Sequence, residues 1–149
     1  MFRVNRQTDY AIRVILALSK ESPGTRLPSA RIGREMLIPK AFLSRIVAQL
    51  AQAGLVRTFA GRDGGLQLSR PAADTTLRDV VETMEGPFLL SECMLGDEAC
   101  PFEAACPVRT RWARLQNAIL TELARTNFAE LAVETANEKG AVNVLPTSP

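Results

Sequence analysis

The sequence predicts a mainly helical chain with one short β-hairpin, and three observations support this prediction. Apolar residues recur at helical spacing in several blocks that glycine and proline separate. A glycine-rich stretch, residues 60–65, lies between two short apolar runs, which is typical of a hairpin turn. The hairpin follows two helices joined by a short turn, as in a helix-turn-helix. The predicted fold is therefore mainly α, a winged helix-turn-helix with a two-stranded wing and a long C-terminal dimerisation helix.

Three helices and the hairpin fill the first half of the predicted fold. The predicted spans are residues 8–20, 30–35 and 39–53 for the helices and residues 55–59 and 66–68 for the strands. Ser29 is expected to cap the second helix, and Asp63-Gly64 to supply the positive φ of the hairpin turn. The third helix is expected to bury an inward stripe made of Phe42, Leu43, Ile46, Val47 and Leu50.

The second half is expected to hold three helices and one loop. The predicted spans are a helix over residues 76–85 capped by Asp74 and Thr75, a loop over 91–106, a long helix over 107–125 and a closing helix over 128–139. Pro107 suits the first turn of the long helix. Apolar residues recur along that helix as a stripe that a small domain would bury against a partner. The stripe consists of Val108, Trp112, Leu115, Ile119 and Leu123.

The composition favours a protein that binds a polyanion over an enzyme. Residues 1–70 hold twelve lysines and arginines against four acids, whereas residues 71–149 hold six against twelve. Such a basic front half suits a partner such as nucleic acid. The chain has no histidine, which excludes His-based acid–base catalysis and His-ligated zinc. The apolar runs are too short to span a bilayer and no signal peptide is recognisable, so we expect a cytoplasmic protein with no membrane partner. Because these catalytic arrangements are excluded, we also expect no enzymatic activity.

The start of the third helix is the expected DNA-reading element, since that part of a helix-turn-helix enters the major groove. The outward positions there are Lys40, Ala41, Ser44 and Arg45. Arginine can bind guanine through two hydrogen bonds, and alanine can contact a thymine methyl. Flanking cations expected to meet phosphate are Arg31 and Arg34, and Arg62 at the wing tip is placed to enter a minor groove. The alternative for each of these residues is an ordinary solvated surface.

Three cysteines, Cys93, Cys100 and Cys106, are spaced Cys-x6-Cys-x5-Cys within the predicted loop. Thiolates of this kind favour an iron–sulfur cluster, zinc or Cu(I). Structural zinc normally takes four Cys or His ligands, and the pattern provides three, so a cluster fits the spacing better. Three structural cysteines without metal, or a thiol that responds to oxidation, stay open as alternatives. A cluster with three thiolates needs one further ligand, which suits a labile sensor.

At this point the chain resembles a known family, the Rrf2 winged-helix regulators, which include IscR, NsrR and RirA. The resemblance covers the chain up to about residue 135 and rests on several short motifs together. These motifs are Thr8-Asp9-Tyr10-Ala11, the segment from Leu50 through Gly54-Leu55-Val56, the wing Gly61-Arg62-Asp63-Gly64-Gly65, and Cys100-Pro101-x4-Cys106.

The resemblance implies a homodimer, a palindromic double-stranded DNA operator and a cluster near the dimer interface. It places the three cysteines at cluster-ligand positions and Asp9 at the position of an oxygen ligand from the opposite subunit in NsrR-like members. It favours a 4Fe–4S cluster, with 2Fe–2S as the alternative. The sequence departs from the family pattern at Arg109, where IscR has a cluster histidine, and at Ala60, where a basic residue is usual.

These inferences divide the chain into four units. They are a DNA-binding domain over residues 1–72, a connecting helix and cluster loop over 73–106, dimerisation and closing helices over 107–139, and a flexible tail over 140–149. The predicted function is a DNA-binding repressor that senses nitric oxide, redox state or iron through a labile cluster. The alternatives are a cluster-free regulator of the same fold that responds to thiol oxidation or zinc, and a small redox enzyme or electron carrier.

Overall fold

A computed structural model describes residues 3–95, 100–102 and 105–138 of the chain. This part is mainly helical, with one two-stranded antiparallel sheet, which confirms the predicted fold class. The helices are α1 (Arg6–Ser19), α2 (Ser29–Glu35), α3 (Lys40–Gln52), α4 (Leu77–Glu85), α5 (Pro107–Arg125) and α6 (Phe128–Glu138), and the strands are β1 (Val56–Phe59) and β2 (Gly65–Leu68). Short 3-10 turns lie at Ala72–Asp74 and Glu92–Met94. The predicted tail, residues 140–149, lies outside the described residues.

Helix α1 is the centre of the core, because it contacts α3, α4 and α6. Its residues Ala11, Val14 and Ile15 are fully buried, as are Ile46 on α3 and Phe128 on α6. Burial of several large apolar side chains around one helix is the main source of stability in a domain of this size. The core therefore holds α3 against the closing helix α6 through α1.

The inward stripe of α3 is narrower than predicted. Leu43, Ile46 and Leu50 are buried, whereas Phe42 is 39% exposed. Phe42 precedes Leu43 by one residue, which turns it about 100° away from the buried line. Its ring contacts that of Tyr10 at the edge of the core, with the ring centroids 5.7 Å apart. The prediction that Phe42 is buried was wrong.

Two predicted helix caps are also wrong. Ser29 is the first residue of α2, and the capping position is taken by Pro28, which offers no side-chain acceptor. Helix α4 begins one residue later than predicted, with Thr76 at its N-cap in place of Asp74 or Thr75. Thr76 and Asp79 form a capping box, in which each side chain accepts a hydrogen bond from the other residue's backbone. Burial opposes ionisation of Asp79, but the hydrogen bonds from Thr76 and Arg70 outweigh it and lower the pKa of this carboxyl.

The wing is a hairpin in which Val56 pairs with Leu68 and Phe59 with Gly65. The positive φ angles lie at Gly61 (90°) and Gly65 (140°), so the expectation for Asp63-Gly64 was wrong. Gly64 is needed for a different reason, because a Cβ there would collide with the carbonyl oxygen of Phe59. The chain before α2 joins the sheet as well.

Leu27 makes that additional link through two backbone hydrogen bonds with Leu66. The N–H of Leu27 donates to Leu66 at 2.9 Å, and the N–H of Leu66 donates to Leu27 at 2.7 Å. Both side chains are buried. The base of the wing is thereby fixed to the segment that leads into the helix-turn-helix.

Candidate DNA-binding surface and cysteine segment

Helix α3 has one face in the core and one face in solvent. The four residues predicted to face DNA, Lys40, Ala41, Ser44 and Arg45, are all exposed. The buried residues Leu43, Ile46 and Leu50 lie on the other side of the same helix. Packing thus holds the backbone of the helix while leaving its polar side chains free to contact a partner. Their contacts with DNA stay a prediction.

The cations of this surface differ in how far protein carboxylates neutralise them. Within the described residues, Arg34, Lys40, Arg45 and Arg62 are exposed and take part in no ion pair. Unpaired cations of this kind are the ones that can replace counterions on a phosphate backbone.

Arg31 is the exception among the predicted DNA contacts. Its Nε lies 2.7 Å from Glu35 Oε1, and its Nη2 lies 3.3 Å from Glu21 Oε1. The hydrogen bond to Glu35 raises the pKa of the Arg31 guanidinium. A phosphate would therefore have to compete with two carboxylates for this side chain.

The structure places a cation from another segment beside the wing, a position that the sequence did not predict. The guanidinium carbon of Arg26 lies 3.7 Å from the centroid of the Phe59 ring. Thirty-three positions separate these residues in the chain, so no local pattern could pair them. Arg62 is exposed at the tip of the same hairpin, as predicted.

The three cysteines are free and half-buried in the structure. Cys93 lies in the turn Glu92–Met94, with its Sγ 3.1 Å from Ser91 Oγ, and Cys106 stands at the N-cap of α5. Among the residues that the structure describes, no three Cys, Asp or Glu side chains gather into a metal-binding group. The acids Asp97, Glu98 and Glu103 of the same segment lie outside those residues.

The donor set nevertheless fits an iron–sulfur cluster by its chemistry. Three soft thiols within fourteen residues match the ligands that iron–sulfur clusters take, and a fourth thiol or imidazole is absent from the sequence. Partial burial suits such a ligand set, because it shields a cluster while leaving one side open. Cys93, Cys100 and Cys106 are therefore the residues of this chain that could hold one.

Asp9, the predicted oxygen ligand, is held by its own helix. Its Oδ2 accepts a hydrogen bond from Arg13 Nη2 at 2.7 Å. The other terminal nitrogen of Arg13, Nη1, donates to the carbonyl oxygen of Met36 at 3.1 Å, in the turn between α2 and α3. Asp9 is thus connected to the helix-turn-helix through a single guanidinium. Its role as a ligand stays a prediction.

Helix α5 is long and poorly covered. It has nineteen residues, and none of them is buried. Val108 and Leu115 of the predicted stripe are 50% and 46% exposed, while Trp112, Ile119 and Leu123 are half-buried. Such a face is unusual on a small protein unless another surface covers it. No described helix combines the length and the hydropathy required to cross a bilayer.

The helix-turn-helix, its hairpin wing and the exposed face of α3 define a winged-helix DNA-binding regulator. The chain belongs to the Rrf2 family, whose model, described as an iron-dependent transcriptional regulator, matches residues 4–134. It is a family of transcription regulators that bind DNA.

Two curated relatives are similar to this chain over most of its length. Protein aau3 of Rhizobium meliloti is 35% identical over 123 residues, which cover 81% of this chain and 79% of that protein. A putative HTH-type transcriptional regulator of Mycobacterium tuberculosis is 29% identical over 132 residues, or 87% of this chain and 81% of that one.

Solved structures show the same fold at lower sequence identity. CymR, the global cysteine regulator of B. subtilis, matches with a TM-score of 0.71 and 22% identity, covering 90% of this chain and 98% of CymR. IscR of T. potens matches with a TM-score of 0.70 and 17% identity, covering 97% and 94%. The two neighbours have the fold in common with this chain, and the match to the family model confirms the predicted Rrf2 membership.

Proposed function

We propose that this chain is a homodimeric repressor that senses nitric oxide, redox state or iron through a labile iron–sulfur cluster. The observation that carries the DNA-binding part is the two-faced α3. Ile46 and Leu50 anchor it in the core, while Ser44 and Arg45 project from its free face. The sensing part rests on three free thiols in the segment between α4 and α5.

In the proposed complex, α3 lies in the major groove. Arg45 binds guanine through two hydrogen bonds, Ser44 bonds a base edge, and Ala41 contacts a thymine methyl. Lys40 binds phosphate at the start of the helix. Each residue is exposed and free of ion pairs within the described part of the chain, so none has to leave a protein partner first.

Three further arginines flank the reading helix in this proposal. Arg34 on α2 supplies phosphate binding, and Arg62 enters the minor groove next to the wing. Arg31 contributes only where phosphate displaces Glu35 and Glu21 from it. We therefore expect a smaller contribution from Arg31 than from Arg34.

The cluster is proposed to bind to Cys93, Cys100 and Cys106, with Asp9 of a second copy as the fourth ligand. When bound, a 4Fe–4S cluster with one oxygen-ligated iron would supply a centre that nitric oxide or oxygen can attack and that can lose iron. To bind a cluster, Asp9 would have to leave Arg13, whose other terminal nitrogen donates to the carbonyl oxygen of Met36. This link would let the recognition helix respond to the state of the thiol segment.

Dimerisation is proposed to cover the stripe of α5. The stripe recurs at helical spacing, and half of the Val108 side chain is open to solvent in the single chain. A two-fold dimer buries the same patch of both copies, and it presents two recognition helices to a palindromic operator.

A cluster-free regulator is the second candidate, and one observation favours it. The described thiols do not gather at one point, and Cys93 contacts the hydroxyl of Ser91 in place of another thiol. One structural neighbour is described as a global cysteine regulator, and another as the oxidised form of CymR of Staphylococcus aureus. In this candidate a cysteine of the segment responds to oxidation or binds zinc.

Anaerobic purification followed by absorbance, iron and sulfide analysis distinguishes the two candidates. A brown protein with iron and sulfide supports the cluster, and loading should be lost in each of Cys93→Ala, Cys100→Ala and Cys106→Ala. Leu95→Ala, which changes an exposed side chain without donor atoms in the same segment, is the matched control and should load fully. Full iron content in any of the three cysteine variants would refute the ligand assignment.

DNA binding is then measured by gel retardation on duplexes that the anaerobic protein selects from a random library. We expect Arg45→Ala to lose retardation while Arg125→Ala, at the far end of α5, retains it. Nitric oxide or an iron chelator should change the affinity of the wild-type protein. A colourless, iron-free protein that binds the same DNA unchanged by either treatment would support the cluster-free candidate.

A further inference from the structure

Arg26 lies on the wing although it belongs to the segment before α2. Its guanidinium carbon lies 3.7 Å from the centroid of the Phe59 ring on β1. Its Nη1 donates to the carbonyl oxygen of Asp63 in the hairpin turn, with a separation of 3.4 Å. The backbone of the next residue, Leu27, is fixed to Leu66 by two hydrogen bonds. Arg26 is therefore attached to the wing through both its side chain and its neighbour's backbone.

The charge of Arg26 is not neutralised by any carboxylate in the described part of the chain. The acceptor it uses is a neutral carbonyl oxygen, and a guanidinium has five N–H donors. Stacking on an aromatic face leaves the edge of the guanidinium open to further acceptors. Arg62 adds a second unpaired cation at the tip of the same hairpin.

We propose that Arg26 is a DNA-phosphate contact of the wing and that Phe59 holds it in position for this contact. The proposal rests on the DNA-binding function proposed above and adds a residue to it. An arginine that is already stacked loses less conformational freedom on binding than a free one, which makes it an effective phosphate ligand. Arg26 also places positive charge beside Phe59, where the following residue, Ala60, provides none.

The test is the affinity for selected duplex DNA as a function of salt concentration. Removal of one phosphate contact lowers affinity for all sequences and reduces the slope of log K against log salt by about one. We expect Arg26→Ala to show both effects, with a loss of about tenfold at moderate salt, the lower end of the range for a hydrogen bond to a charged group. Arg125→Ala removes the same charge from the end of α5 and should leave affinity and slope unchanged.

Two further variants separate contact from positioning. Phe59→Leu retains the charge but removes the ring, so affinity should fall while the slope stays close to that of the wild type. Arg26→Lys should retain the slope and part of the affinity. Thermal unfolding of each variant checks that the wing is still folded.

Certain experimental results would contradict this role of Arg26. Arg26→Ala with wild-type affinity and slope would overturn it. A lower affinity at an unchanged slope would overturn the phosphate contact and reduce Arg26 to a support of the wing. The proposed DNA-binding function is tested separately by Arg45→Ala, so retained binding in that variant counts against α3 and not against Arg26. A wild-type protein that selects no DNA would overturn both.

Discussion

Arg13 lies 2.7 Å from the carboxylate of Asp9, one turn away on α1, and its second terminal nitrogen holds the carbonyl oxygen of Met36. Met36 directly follows the last residue of α2, and α3 begins at Lys40, four residues further on. One guanidinium therefore connects the proposed cluster ligand to the turn that sets the position of the recognition helix.

Arg13→Lys should weaken DNA binding without changing its salt dependence. A lysine can keep the ion pair with Asp9, but its single nitrogen cannot also reach Met36 in the geometry of a fork. Without this bond the turn before α3 is held less firmly in its DNA-binding position, and the loss of about 1 kcal/mol limits the decrease in affinity to about fivefold. Gel retardation over a salt series measures both quantities. Arg78→Lys is the matched control, since Arg78 forms an i,i+4 pair with Glu82 on α4, and equal affinities in both variants would contradict the prediction.

The hydrogen bonds around Glu85, at the end of α4, predict that the stability of the fold depends on pH. The buried hydroxyl of Thr8 donates to Glu85 Oε1 at 2.6 Å, the backbone N–H of Asn5 donates to the same oxygen at 3.0 Å, and these bonds lower the pKa of the carboxyl. Because the pKa of Glu85 is lower in the folded state than in the unfolded state, its ionised form stabilises the fold at pH values above the unfolded-state pKa. This contribution to stability is lost as the pH falls through the folded-state pKa. Glu85→Gln should therefore flatten the acid side of the stability curve, as measured by urea unfolding at one protein concentration.

Thr8→Val tests the same contact from its donor. Valine keeps the shape of threonine and removes the hydroxyl, so the free energy of unfolding should fall by about 1 kcal/mol at neutral pH. The acid-side loss should also shrink, because Glu85 then loses one of its hydrogen bonds. Thr135→Val is the control, since that hydroxyl donates to a carbonyl of its own helix and not to a carboxylate. Equal pH curves for wild type and Thr8→Val would contradict the assignment.

Leu37 should be replaceable by glycine with a gain in stability. It lies in the left-handed region with φ of 54°, it is 78% exposed, and Ile38 N–H after it donates to the Gly33 carbonyl at 2.9 Å. Glycine is the residue favoured at this position of a helix end, and a side chain there costs about 1 kcal/mol. Leu37→Gly should raise the unfolding midpoint.

Gly54→Ala is the reciprocal control for this prediction. Gly54 has φ of 74°, and a Cβ added there would contact nothing within 4 Å, so only the backbone conformation is penalised. The unfolding midpoint of Gly54→Ala should fall by an amount comparable to the rise expected for Leu37→Gly. A lower midpoint for Leu37→Gly would mean that the leucine side chain makes a stabilising contact in the assembled protein.

Trp112→Glu should convert the proposed dimer into monomers. A charge in the middle of the α5 stripe cannot be buried against a second copy without a large desolvation cost. Light scattering after size-exclusion chromatography measures the mass. Asn117→Glu places the same charge at an exposed position of the same helix outside the stripe and should leave the dimer intact. An unchanged mass in Trp112→Glu would show that another surface joins the subunits.

Local patterns in the chain account for most of the secondary structure. Helix α5 occupies the predicted span from Pro107 to Arg125, because proline suits a first helical turn and the apolar spacing continues behind it. The exposure of Ser44 and Arg45 follows from the same periodicity, since the buried line of α3 fixes which side remains free. The functional assignments to these residues and to the cysteines stay predictions.

The sequence by itself determined the order of the helices, the presence of the wing, the basic front half and the trio of thiols. These properties depend on residues that are neighbours in the chain or on simple counts of charge. Only the tertiary structure decided that Arg26 stacks on Phe59, that Arg13 joins Asp9 to Met36 and that Glu85 binds Thr8. Two of these three contacts bring together residues from separate elements, and the third extends a local ion pair to a distant turn. Such contacts form only when the whole core packs, and no period along the chain encodes them.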